Sequence, residues 1–419
     1  MSGPTRGLAA VALLCSVLLT AGLVGLGEPS VWDELRHFAS ASQGVDSWRP
    51  MNQARAYLDQ DAEKPLYAWL FFEQRVKFIY PPPSLLLLDP MPAGSLRQAL
   101  NVFSWVLVAL TVLFTLLVLD RGLQRSRFAA ADGRERALRV ALGLLLALSF
   151  YPLLKAYSLG QMQVWVNALF AAAVWCWQAD RRAGAGVLLA LMAAVKPQYA
   201  LIGVWGLLRG ERRFVAGALG AGLVLLVVSV ARFGWESHVD YLSVVAHVGR
   251  HGEAYWPNQT VGGFLHRLLG NGVSSHWDPE VYPPYHPVVY FGSIAASLAV
   301  LGVAFLWPLR DDARGSLLDF CTAALAATLA SPIAWEHHYG VLLPIFAAAL
   351  PAVTAAGARR PWAVVGWVAA WAVAAHYLDV LRRIDGTAWN PLQSLLLFAA
   401  LGVLAGLVAL RTAASVRHS

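Results

Sequence analysis

Apolar residues in this chain gather into runs separated by polar segments. Most runs approach the length of about 20 residues that a helix needs to cross a bilayer. Twelve spans can be drawn, at roughly 8–26, 100–119, 138–154, 162–179, 184–195, 197–208, 214–231, 288–306, 317–333, 339–354, 362–378 and 392–410. The fifth and sixth are short and meet at Lys196-Pro197, so a broken helix pair and two half-spans both fit. The first run, Leu8 to Leu26, follows a short N-terminus carrying Arg6. It lacks a clear small-residue cleavage site and is long enough to span, which favours a retained helix over a signal peptide.

The connections alternate in character. One set is short and rich in arginine: 121–139, 181–182, 209–213, 310–314, 359–360 and the tail after Arg411. The positive-inside rule puts these in the cytoplasm, with both termini. The other set then faces outward: 27–99, 155–161, 196–198, 232–287, 335–338 and 379–391. The two longest, 27–99 and 232–287, are expected to carry short helices lying at the membrane surface. Residues 1–419 thus read as a single all-α polytopic membrane domain of about 12 transmembrane helices, without tandem repeats or a separate soluble domain.

Composition agrees with this. The chain is 58% hydrophobic and 14% charged, where soluble domains carry about 25% charged residues, and its mean hydropathy is +0.54. The formal net charge of +7 sits largely in the short loops, so it encodes topology and gives no reason to expect a nucleic-acid partner. Cys15, Cys176 and Cys321 all fall inside apolar spans and offer neither a disulfide framework nor metal spacing.

Under this topology the unusual polar residues collect on the outward side. They are Asp46, Lys77 with Tyr80, Gln161 with Gln163, Lys196 with Gln198, Asn258-Gln259 and His337-His338. Polar and ionisable groups near apolar spans are tolerated mainly where they pair or line a cavity, so an extracytoplasmic cavity is expected. A carboxylate such as Asp46 can take the proton of an attacking hydroxyl. An ordinary solvated loop aspartate is the plainer alternative, and Asp33 and Glu34 are competitors for the role. Lys196 in KPQ suits a phosphate as a point charge, or snorkels at an interface. His337 and His338 suit the same phosphate, or are interfacial residues beside Trp335 and Tyr339. Adjacent histidines diverge and no third ligand is spaced for a metal, so no metal site is expected. Gln161 either binds sugar hydroxyls or caps a turn, and Asn258 opens an NQT sequon or joins Gln259 in the cavity wall. The YPPP run at 80–83 stiffens its loop, because each proline restricts itself and its predecessor.

In this order the segments resemble glycosyltransferase family 87 of the GT-C superfamily. The resemblance rests on Asp46 before Ala54-Arg55-Ala56, Tyr80-Pro81-Pro82, Gly160-Gln161, Lys196-Pro197-Gln198, Asn258-Gln259-Thr260, and Ser331-Pro332 through Trp335 to His337-His338-Tyr339. It favours Asp46 over Asp33 by the spacing to the AxA helix. It implies a GT-C-type bundle that uses a polyprenol-phosphate sugar donor, a lipid or glycan acceptor and surrounding membrane lipids, with no cofactor. The implied reaction is inverting transfer on the outer face, with Asp46 as base and Lys196 with His337 or His338 on the departing phosphate. Many family members carry Asn where this chain has Gln163, and WRPMNQ replaces an aromatic-rich run after Asp46. The resemblance therefore implies a polyprenol-linked sugar more firmly than it implies mannose, and arabinofuranosyl transfer is an alternative. A lipid-sugar transporter or flippase is the alternative from another class. It would place charges mid-span and show internal repeats, whereas these spans are nearly uncharged at their centres. No P-loop or dinucleotide fingerprint is present. A bacterial-type inner membrane is the expected location.

Overall fold

The computed structural model of the protein describes residues 3–60, 64–89, 96–130, 132–278, 280–307, 309, 314–358 and 360–412. Arg310, Arg359 and the tail beyond Thr412, which belong to the basic connections above, lie outside them. The α-helices among the described residues are α1 (Gly3–Gly25), α2 (Val31–Ala39), α3 (Trp48–Leu58), α4 (Leu96–Gln124), α5 (Gly133–Leu148), α6 (Tyr151–Leu159), α7 (Gln163–Gln178) and α8 (Arg182–Val195). They continue with α9 (Leu201–Arg209), α10 (Arg212–His251), α11 (Val261–Leu269), α12 (Pro287–Leu306), α13 (Leu317–Leu329), α14 (Leu342–Gly357), α15 (Pro361–Ala374) and α16 (Leu395–Thr412). Strand-like pairing among the described residues is an isolated bridge between Asn258 and Trp335. The all-α expectation holds.

Among the described residues, six helices are apolar and long enough to cross a membrane: α1, α4, α10, α12, α14 with its preceding 3-10 turn (Glu336–Gly357), and α16 with the turn before it (Asn390–Thr412). Counting α5 and α6 as one span bent by 50° makes up to seven. Leu14 and Leu18 on α1, Leu219, Leu223 and Val227 on α10 and Leu298 on α12 are all exposed. An apolar belt on that scale is stable only where lipid is the solvent, and the chain is a membrane protein. Gly234 breaks α10 with φ 75° and ψ 155°, so the apolar 214–231 stretch ends there and a second helical segment follows. The long connections do contain short helices. Segment 27–99 carries α2, α3, a π-helical turn (Ala68–Glu73) and a 3-10 turn (Pro82–Leu87), and 232–287 carries the second part of α10 and α11.

Two features fix how the helices meet. The first lies where α8 crosses α10. A methyl on Gly186 would run into the Phe214 carbonyl oxygen and one on Gly217 into that of Ala183, so the two backbones touch, as small residues allow in membranes. Beside this crossing Trp177 stacks on Phe320 with ring centroids 4.5 Å apart, and Trp205 and Phe214 complete the aromatic block. At the same end of the bundle Asp319 is fully buried, held by Arg209 Nε at 2.7 Å and Arg411 at 2.6 Å. The two guanidiniums also donate to the carbonyls of Phe305 and Ala304, tying α9, α12, α13 and α16 together. Arg209 and Arg411 are therefore structural counterions as well as members of basic loops.

The second feature is at the opposite end. The segment before α3 lies along the end of α6 through three backbone bonds: Gly44 N to Ser158 O (2.7 Å), Asp46 N to Leu159 O (3.0 Å) and Ser47 N to Gly160 O (3.1 Å). Gly160 ends α6 in the left-handed region at φ 72°, and a side chain there would collide with the Gly44 carbonyl. This junction sets the position of Asp46.

Removing one member of the buried charge cluster leaves the others uncompensated. Asp319→Ala is expected to cost about 3–5 kcal/mol, seen as a large fall in melting temperature of the detergent-solubilised protein. An unchanged melting temperature would contradict that role.

Candidate active site

Asp46 lies in the turn just before α3, on the junction with α6. Its carboxylate accepts a hydrogen bond from Gln161 Nε2. The other end of that amide is occupied too: Gln161 Oε1 receives Ser47 Oγ at 2.9 Å and lies 3.1 Å from the Tyr80 hydroxyl. Ser47 Oγ in turn accepts from Met162 N at 3.0 Å and lies 2.7 Å from the Tyr80 hydroxyl. The network fixes the orientation of the amide, since a flipped Gln161 would aim a carbonyl oxygen at the carboxylate. Burial raises the Tyr80 pKa above its ordinary value, so its hydroxyl is a donor, and Tyr67 donates to the Tyr80 carbonyl at 2.6 Å. The YPPP segment is thereby bolted to the aspartate it follows by a gap of more than 30 residues.

Asp46 keeps solvent contact, yet protein surrounds it closely enough that desolvation raises its pKa from the ordinary 3.8. These observations agree for a carboxylate on the wall of a recess, wetted from one side only. His337, the Gln161 hydrogen bond and Lys155 act in the lowering direction, and Glu336 in the raising one. The competing carboxylates are already engaged. Asp33 Oδ2 accepts from the Ser30 N–H at 3.0 Å and its hydroxyl at 2.9 Å, closing the start of α2. Glu34 is buried against Lys155 Nζ at 3.0 Å and the Ser158 hydroxyl.

A second group lies across α7 and α8. Lys196 leaves the helix at φ −136°, as a residue before proline does, and Pro197 starts a 3-10 turn (Pro197–Ala200). The Lys196 amine is buried, which pushes its pKa well below the ordinary lysine value, and it donates to Gln163 Oε1 at 2.7 Å, with no carboxylate in ion-pair range among the described residues. Gln163 passes the chain on to Asn167 Oδ1 at 2.9 Å and to the His338 carbonyl at 3.4 Å. Gln198 sits half-buried on the turn.

The 3-10 turn Glu336–Val341 packs against α6 and α7 between these groups. Its two histidines diverge, with rings 82° apart. His338 Nδ1 accepts from the Trp335 N–H at 3.1 Å, while its charge environment includes Lys196. His337 is almost fully buried, feels Asp46, and has neither ring nitrogen hydrogen-bonded. Glu336 beside it is 3.8 Å from His337 Nδ1 and has one oxygen without a partner. Groups that are this buried normally find partners, so these atoms stand out as unmet polar positions close to Asp46.

Lys77, Asn258 and Gln259 hold the walls. Lys77 Nζ reaches Glu253 at 3.4 Å and lies over the Tyr282 ring at 4.4 Å, pinning 77–80 to the 253–282 loop. Asn258 accepts from Ala334 N at 3.0 Å and donates to Glu253 O at 2.8 Å. Gln259 donates to the Trp256 and Gln393 carbonyls, and Tyr339 donates to the Gln259 carbonyl. The candidate residues thus fall into three sectors: Asp46 with Gln161 and Tyr80, Lys196 with Gln163 and His338, and a supporting wall. Ser47, Glu336, Lys155 and Glu253 escaped the sequence analysis, although Ser47 and Glu336 are immediate neighbours of residues it singled out. An apolar cavity lies elsewhere. It is about 770 Å³, apolar, lined by residues such as Leu8, Phe128 and Val364 at the far end of α14, and contains none of these groups.

Comparison with known proteins agrees with the motifs. The model of glycosyltransferase family 87 matches residues 78–332, ending just short of His337 and beginning after Asp46. The chain is 27% identical to a polyprenol-phosphate-mannose-dependent alpha-(1-2)-phosphatidylinositol mannoside mannosyltransferase of Mycobacterium tuberculosis, covering 76% of each chain. It is 28% identical to a phosphatidylinositol pentamannoside mannosyltransferase of the same species over 72% of this chain and 65% of the relative. A pentamannoside enzyme of Mycolicibacterium smegmatis is 26% identical, over 73% of this chain and 70% of its own. No solved structure matches the chain. A family match over more than half of the sequence, on a helical membrane fold, means that the chain belongs to glycosyltransferase family 87.

Proposed function

We propose that the protein transfers mannose from polyprenol-phosphate mannose to a phosphatidylinositol mannoside acceptor, on the extracytoplasmic face of a bacterial-type inner membrane. The relatives' names supply the donor and acceptor classes and favour mannose over arabinose. The observation that carries the catalytic assignment is the state of Asp46. It is oriented by a fixed amide and lies in the field of His337, while Asp33 is engaged at the start of α2 by Ser30 and Glu34 is buried against Lys155.

In this reading the acceptor hydroxyl gives its proton to Asp46 as its oxygen bonds to the anomeric carbon. The bond from that carbon to the phosphate oxygen breaks on the opposite side, inverting the configuration, and polyprenyl phosphate leaves. A phosphate monoester leaving group gains charge as the bond breaks, so fixed positive charge and hydrogen-bond donors beside it lower the barrier. Lys196, which lacks a carboxylate partner among the described residues, supplies the charge once the incoming phosphate anion offsets the burial that disfavours its protonated form, and His337, with two unpaired ring nitrogens, supplies a donor. Gln163 holds Lys196 in place, and Gln161 holds Asp46. Gln198, Lys77, Tyr80, Asn258, Gln259 and His338 shape the substrate site from its walls.

The twelve-span layout belongs to the same proposal. The shorter apolar helices α8, α13 and α15, with α7, α9 and the bent α5–α6 pair, complete the bundle. That layout puts Lys196, His337 and the 44–47 junction at one membrane face and the Arg209–Asp319–Arg411 cluster at the other.

Asp46→Asn is expected to lower kcat by about 10²–10⁴-fold while donor affinity is retained, measured with purified protein and polyprenol-phosphate mannose. Retained turnover would remove Asp46 as base. The rate should fall as pH drops through the Asp46 pKa, and because burial raises that pKa the acid limb lies above the ordinary aspartate range. Lys196→Met should weaken donor binding by about tenfold or more, the scale of a lost charge-assisted hydrogen bond, with acceptor binding unchanged. Equal loss for both substrates would point to a structural lysine.

A further inference from the structure

Linked to Asp46 through Glu336, whose charge acts on both Asp46 and Tyr151, lies a polar cluster that the catalytic assignment does not use. Tyr151 opens α6, is almost fully buried, and has no hydrogen-bond partner for its hydroxyl. Its ring stacks on Tyr377 at 5.1 Å between centroids, 7° from parallel. The charges of Glu34, Glu336 and Asp379 all reach that hydroxyl. Tyr377 lies within the field of Asp379, which is buried and 3.5 Å from the exposed Arg382. Tyr255 packs edge-on against Trp335 at 5.4 Å and lies within the same field of Glu336 and Asp379. Tyr255 and Tyr377 keep partial exposure, so the cluster is reached from solvent.

We propose that Tyr151, Glu336, Asp379, Tyr377 and Tyr255 form the acceptor subsite, and that it takes the polyhydroxylated sugar headgroup of a glycolipid. This rests on the transferase reading above and deepens it. The chemistry selects the ligand class. Carboxylates accept from hydroxyl groups, tyrosine hydroxyls both give and accept, and aromatic faces pack on sugar rings, whereas an anionic phosphate would be repelled by the carboxylates. The Tyr151 hydroxyl and one Glu336 oxygen are each more than nine-tenths buried and unpaired. Such atoms are costly to leave empty and are satisfied when a hydroxyl arrives. Position agrees as well. Glu336 is felt by both Asp46 and Tyr151, so a hydroxyl held here lies beside the base that would deprotonate it. Lys196 and His338 form the other side, leaving the donor phosphate its own sector.

The test compares wild type with Tyr151→Phe and Asp379→Asn in lipid nanodiscs. Equilibrium binding of a phosphatidylinositol mannoside and of polyprenol-phosphate mannose is measured separately for each protein. Both variants should bind the glycolipid roughly tenfold more weakly, the scale of one buried hydrogen bond, with donor affinity unchanged. Thermal melting of each variant establishes that it is folded, and the two substitutions lie on different elements, so a single misfolded variant does not decide the result. Unchanged glycolipid affinity in both, or a loss confined to the donor, would overturn the subsite. So would a wild-type protein that does not bind the glycolipid. Turnover is read separately: failure of wild type to transfer mannose, with the binding difference intact, counts against the transferase reading and not against the glycolipid subsite.

Discussion

The hydrogen bond from the Gln161 amide to the Asp46 carboxylate joins two parts of the chain that are 115 residues apart, and the rest of the site depends on it. Asp46 belongs to a loop and would otherwise be a mobile surface carboxylate. It is held because Gly160 adopts the left-handed turn that lets the chain double back, because the 44–47 backbone lies along the end of α6, and because Ser47 and Tyr80 occupy the far end of the amide. Each step is local chemistry. Together they convert a loop residue into a positioned group, as general-base catalysis requires.

Charge is segregated along the bundle. At one end Asp319 sits between Arg209 and Arg411, with the guanidiniums further bonded to carbonyls, so that the charges are paired within the cluster. At the other end the ionisable groups are deliberately incomplete. Lys196 meets an amide in place of a carboxylate, His337 has free ring nitrogens, and Tyr151 and Glu336 keep unpaired oxygens. In a low-dielectric setting an unmet polar group destabilises the empty protein, and binding of substrate relieves it. The contrast between a charge-paired cluster and ionisable groups without a charge partner distinguishes the two ends.

Much of this was legible in the sequence, for identifiable reasons. Helical class followed from apolar runs of bilayer length, and the break at Lys196-Pro197 and the end of the 214–231 stretch were visible as Pro and Gly punctuation. The six candidate segments were readable because each pairs a polar residue with a rigidifying neighbour. What was hidden is pairing across distance. Nothing in WEHHY says which histidine approaches Asp46, since that depends on how the 3-10 turn seats on α6. Ser47 looked like filler, and only its place between Tyr80 and Gln161 gives it a role. Asn258 and Gln259 read as ligand contacts or wall, and the structure occupies both amides with backbone groups. Glu34 and Asp33 competed with Asp46 on paper, and their partners separate them.

The central claim is that phosphate and base occupy opposite sides of one reacting carbon, with Lys196 on one side and Asp46 on the other. The most direct measurement is an experimental structure of the protein in lipid nanodiscs with polyprenyl phosphate bound. The account predicts the phosphate within hydrogen-bond reach of Lys196 and His337, with the Asp46 carboxylate facing it across a gap that a sugar ring fills. A phosphate held elsewhere, for instance by Arg127 beside the apolar cavity between α1 and α15, with Asp46 turned away from it, would contradict the account.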